Sequence, residues 1–191
     1  AAAAIVLNRE DVPIGGYFRE GERVVQRVDD DADGNVQFRE LTPETPWTEK
    51  QTLGVTRLGR IKGMLTLREM AYDLMADERA DAPAEILEAK RAELNRVYDK
   101  FVDDFGFLND AANKALMDDD PRIEFGLEGD YTKAITPAAA KRLGQAPAPA
   151  AAQKSSLLKE RVFYPKQEID RAESPADGYA ISLSEKGQIA L

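Results

Sequence analysis

Two runs of helical periodicity, separated only by Asp81-Ala82-Pro83, constrain this chain more than any other feature. From about Val55 to Arg79, Leu58, Ile61, Leu65, Tyr72 and Met75 recur near one face of a helix. From Pro83 to about Asp104 the stripe is Leu87, Leu94, Val97/Tyr98, Phe101 and Phe105, and Gly106 supplies the stop. So short a connection leaves two long amphipathic helices one arrangement, an antiparallel αα-hairpin. Asp81 reads as the N-cap of the second helix, with Pro83 in its first turn. Asn109 or Asp110 opens a short third helix, with Asn109 the expected cap, and Asp118-Asp119-Asp120-Pro121 closes it.

Before the hairpin the period changes to two. Tyr17–Val28 reads as strand, Glu-Gly turn and strand, and Val36–Leu41 adds a third strand, which makes a meander. Thr42–Gln51 holds Pro43, Pro46 and Trp47 and reads as a loop. The stretch 122–131 is ambiguous, since Ile123, Phe125 and Leu127 alternate while Gly126 and Gly129 break a helix. Thr136–Lys154 is rich in Ala and Pro and is expected to be a linker. Leu157–Pro165 is expected as an extended arm, and Ser174-Pro175 opens a last helix ending near Gly187. The expected fold class is α+β. Its parts are a β-meander and loop over 1–51, a helical core over 52–135, a linker over 136–156, and an arm with a terminal helix over 157–191.

Composition removes several function classes. The chain has no cysteine and no histidine, so disulfide scaffolds, zinc fingers, thiol chemistry and histidine-based triads are excluded. A net charge of −9 argues against a protein that simply coats nucleic acid, though a local basic patch is compatible with it. No apolar run approaches the roughly 18–20 residues of a membrane span. No Walker loop, no G-x-G-x-x-G and no N/D-P-P-Y/F signature is present. No catalytic residue, metal or cofactor is therefore expected.

Four patterns tempt a functional reading. Asp29–Glu40 fits the calcium loop D-x-D-x-D-G-x5-E, with Asp29, Asp31, Asp33 and Glu40 as ligands and Gly34 at the turn. It lacks room for flanking helices, so a solvated acidic hairpin turn is the favoured reading. The Asp118–Asp120 triplet reads as a charged helix end, poorly matched to the helix dipole unless it finds basic partners. Asn95 and Asp99 lie four apart on the second helix, placed to fasten the hairpin to its surroundings. Arg57, Arg60, Lys62 and Arg68 make the first long helix the most basic segment and are the candidate contacts to DNA phosphates. The competing reading is a solvated face paired with acids of the second helix.

Several blocks, in order, carry a family resemblance. They are the Tyr17–Val28 hairpin and Arg60-Ile61-Lys62-Gly63-Met64-Leu65-Thr66-Leu67-Arg68. Next comes L-N-x-x-Y-D-x-F-V-x-x-x-G-x-x-N at Leu94, Asn95, Tyr98, Asp99, Phe101, Val102, Gly106 and Asn109. Asp120-Pro121, Leu127–Tyr131, Lys154–Val162 and Asp177–Leu191 follow. In these the chain resembles the connecting region of giant phage and mobile-element proteins of the defence-against-restriction B type. Those proteins fuse an adenine-N6 DNA methyltransferase to a strawberry-notch or Swi2/Snf2-type helicase. The chain departs from their pattern at Gly106-Phe107-Leu108-Asn109, where they often read G-P-I/L-N, and its acidic loop is expanded.

The resemblance implies a piece of a much larger polypeptide, working in the bacterial cytoplasm and in some relatives carried in the phage particle. It implies a non-catalytic connector in anti-restriction or DNA remodelling, with the rest of the parent, neighbouring subunits or duplex DNA as partners and no membrane. Two other expectations stand beside it: a virion-internal assembly protein with a partner-embracing arm, and a calcium-binding module.

Overall fold

In a computed structural model, residues 11–117, 120 and 126–165 are described. The last helix expected near Ser174–Gly187 lies outside them. The architecture is α+β. Strands β1 (Tyr17–Glu20), β2 (Arg23–Val28) and β3 (Gln37–Leu41) form the expected antiparallel meander. Its pleat sorts neighbouring residues to opposite faces. Tyr17, Val24 and Leu41 enter the main core, while Phe18, Val25 and Phe38 form a smaller cluster closed by Val12. Phe18 and Phe38 meet edge to face at 5.3 Å, the geometry aromatic quadrupoles prefer.

The segment expected as a loop contains a small ribbon, β4 (Pro46–Thr48) with β5 (Gln51–Thr52). Leu53 follows it into the core, and the chain turns at Gly54 into α1 (Gly54–Arg79). α1 buries a broad stripe, including Leu58, Ile61, Leu65 and Leu74, because it lies between the sheet and α2 (Ala84–Phe105). The hairpin expected from periodicity is present, and α2 turns Leu87, Leu94, Tyr98 and Phe101 inward.

The bend between the helices differs from expectation. Asp81 takes φ 56°, and Ala82 N–H donates to the Asp77 carbonyl, so Asp81 closes α1 in the left-handed position that usually falls to glycine. Pro83 precedes α2, which starts without a side-chain cap.

The Ala/Pro-rich segment is not a linker. Glu128–Thr132 forms β6, and Ala151–Lys154 returns as β7, antiparallel to it. Between them lies α4 (Pro137–Leu143), capped by the Thr136 hydroxyl and ended by left-handed Gly144. The expected arm is also folded back. Leu157 and Leu158, in a short 3-10 turn over Ser156–Leu158, are buried in the main core.

Candidate functional site

The four basic residues that were candidates for DNA contact are separated by the fold. Arg68 is buried on α1, where its guanidinium donates to an Asp120 carboxylate oxygen at 3.3 Å and to the Tyr17 carbonyl at 3.1 Å. Asp120, wholly buried, also accepts the Tyr17 N–H at 2.8 Å. Of the acidic triplet, this one residue is described, and it works as an internal staple between sheet and helix. Lys62 is exposed, but it stands five residues from Arg57, about 140° around the helix axis.

Arg57 and Arg60 do share a surface. With Trp47, Leu53, Val55 and Leu116 they line a groove of about 570 Å³ at the start of α1. α3 (Ala111–Met117) contributes Ala112 and Ala115 to the lining as well. Arg60 is positioned by the Phe105 carbonyl at 2.8 Å and the Asn113 side-chain oxygen at 2.5 Å, with its guanidinium over the Phe105 ring. Arg57 is held loosely, its contacts to the Thr52 carbonyl and the Gln51 side chain being 3.4 and 3.5 Å. Distances that long mark weak bonds. The first turn of α1 carries no acid and no side-chain cap.

Asn113, wholly buried, ties α3 to the end of α2 by donating to the Phe107 carbonyl at 2.7 Å. Neither Asn113 nor Trp47 stands out as a site residue in the sequence. The one signal was Trp47 lying near the basic helix.

The remaining polar clusters fasten segments together. Glu78, wholly buried near the end of α1, accepts the backbone N–H groups of Val162 and Phe163 at 3.1 and 2.9 Å and pairs with Arg91. Glu128 receives Leu108 N–H, Asn109 N–H and the Asn109 amide at 2.7 to 3.0 Å. Asn109 therefore binds β6, and it is Asp110 that accepts from the turn before α3. Asn95 and Asp99 fasten the hairpin to its surroundings. Asn95 donates to the Leu158 carbonyl, and Lys154 bridges Asn95 and Asp99.

Tyrosines take part in the same network. The Tyr131 hydroxyl donates to Asp110 at 2.6 Å, and that bond pushes its pKa up to about 12. Burial, aided by Glu128, raises that of Tyr98 further. Both phenols stay protonated donors at neutral pH.

Compared with protein-family models, curated proteins and solved structures, the chain matches none.

In the calcium-like loop, one Asp31 oxygen accepts Asp33 N–H and Asn35 N–H, and the other accepts the Gln37 amide. Those bonds hold the Asp31 carboxyl below the usual carboxylate range, the Asn35 backbone bond first among them. They are the bonds of an Asx-type turn, which orders the loop by itself. Among the described residues no group of three or more acidic side chains is placed to hold a metal ion, and no helix is long and apolar enough to cross a membrane.

Proposed function

We propose that the chain is a non-catalytic connector module of a large DNA-modifying polypeptide, holding neighbouring parts at a fixed separation and touching DNA through Arg57 and Arg60. One observation carries the connector reading. Three carboxylates on or beside the αα-hairpin, two of them wholly buried, each bind backbone N–H groups of a segment distant in sequence. Asp120 holds Tyr17, 103 residues away. Glu78 holds Val162 and Phe163, more than 80 residues on. Glu128 holds the turn at Leu108 and Asn109. Such ties fix where segments enter and leave the hairpin, which is what a rigid spacer requires. The Asp120 and Glu78 ties also resist small shear, because breaking one leaves a buried charge unpaired.

The DNA-modifying parent is supported by the ordered blocks of sequence resemblance, and the DNA contact by the two guanidiniums in one groove. The assembly reading is weakened at the end of its arm, because residues 154–163 are fastened to the chain's own hairpin.

The decisive experiment is the mass of the native polypeptide in its source. A parent many times heavier than 21.1 kDa is expected, and a native species of 21.1 kDa would sink the connector reading. In that parent, replacing this module with a flexible linker should uncouple the flanking activities while leaving each measurable alone.

A further inference from the structure

The groove at the start of α1 combines features that act on one nucleotide at a time. Trp47, the chain's single tryptophan, is half-buried against the main core and lines the groove, Val55 is largely exposed, and Arg57 and Arg60 supply two cations on the same lining. An aromatic face interleaved with guanidiniums in a concave surface binds a base by stacking and its phosphates by charge.

The charge of the whole molecule narrows the occupant. At −9 the protein repels polyanions in general, so any nucleic acid has to be held locally. A duplex hides its base faces and offers a convex row of phosphates, which would meet the arginines and leave the indole unused. An acidic peptide would satisfy the arginines but brings no flat ring to the indole. A single strand presents both from one nucleotide.

We propose that this groove takes a single-stranded DNA segment, with one base against Trp47 and its flanking phosphates on Arg57 and Arg60. The inference rests on the DNA-contact reading above and replaces its duplex with a single strand. It also explains why Lys62 and Arg68 are not needed, since both lie away from the groove.

Trp47 reports on its own site. The intact 191-residue chain is titrated with an oligodeoxythymidylate of about ten nucleotides while tryptophan emission is followed. Saturable quenching is expected, with log K falling against log salt at a slope of about −1.4 for two phosphate contacts. Arg57→Gln disturbs only weak internal contacts, so its melting temperature should be unchanged. Its slope should fall by about half and its low-salt affinity several-fold.

Absence of quenching overturns the proposal. So does equal quenching by polyglutamate of the same length, tighter binding of a duplex, or an Arg57→Gln variant that binds like the parent chain. The two readings fail separately. A heavy native polypeptide whose module ignores the oligonucleotide keeps the connector and loses the groove. Quenching in a protein whose native mass is 21.1 kDa does the reverse.

Discussion

Arg68 on α1 and Asp120, fifty-two residues later, form an ion pair whose carboxylate is wholly buried. The pair closes a ring with the Tyr17 backbone, since Asp120 accepts its N–H and Arg68 donates to its carbonyl. The N–H and C=O of Tyr17, which project to the same edge of strand β1, are thus held side by side by opposite charges. The clamp joins the sheet to the hairpin.

Removing half of this clamp should be worse than removing all of it. Asp120→Ala leaves a guanidinium buried without its carboxylate and should cost about 3–5 kcal/mol. Arg68→Met with Asp120→Leu should recover a substantial part, because neither member of the pair is then left charged without the other. Urea denaturation of the two singles and the double checks this. Independent, additive losses would show that the pair is not coupled.

Glu78 should behave as the latch of the 161–163 segment. Its carboxylate binds the Val162 and Phe163 amides and Arg91, while Arg161 donates to the Glu78 carbonyl and pairs with Asp81. Glu78→Gln removes the charge with little change of shape and weakens charge-assisted bonds worth about 1.5–3 kcal/mol each. Hydrogen exchange is expected to speed up at Val162 and Phe163 with little change in the middle of α2. Uniform acceleration through the chain would mean a global effect instead of a local latch.

The αα-hairpin was legible because its signals are local and repeated: a 3.6-residue apolar stripe in each helix, and a stop at Gly106. The β6–β7 pairing was not, because Ala151–Lys154 has no β-branched or aromatic residue and pairs through backbone alone. α4 carried recognisable punctuation in Thr136-Pro137 and Gly144, outweighed by the alanine and proline around it. Of the candidate site, Arg57 and Arg60 were named from sequence. Losing Arg68 to the core depended on Asp120, a partner that no spacing rule finds at such separation. Trp47 joined the site through the β4–β5 ribbon, which the prolines disguised as a loop.

Acid should loosen the 31–37 turn before the rest of the fold. The Asp31 carboxyl titrates below its ordinary value of 3.8 because the folded turn donates hydrogen bonds to the charged form. A depressed pKa means stability present above pH 3.8 and lost as pH falls through the folded value. Carboxyl chemical shifts followed from neutral to acid pH should place the Asp31 midpoint below 3.8, and Asp31→Asn should abolish the acid dependence of the Asn35 amide. An Asp31 titration at or above 3.8 would contradict the turn geometry.

Gly63 tests how closely the two long helices approach. A Cβ built at this position would lie 2.6 Å from Phe101 Cδ2 and 3.0 Å from Cε2, closer than carbon atoms pack. Phe101 is 3% exposed and rests against Phe105 at 5.3 Å, so its ring has no open space to enter. Gly63→Ala gains helix propensity worth about 1 kcal/mol, while overpacking a tight interface costs about 1–3 kcal/mol. The clash should win, and the variant should melt at a lower temperature than the parent chain. Shrinking the partner reverses the sign of the test. In a Phe101→Leu background the Gly63→Ala step should become neutral or stabilising, because the propensity gain survives and the clash does not. If Gly63→Ala stabilises the parent chain outright, the helices stand farther apart than this contact requires.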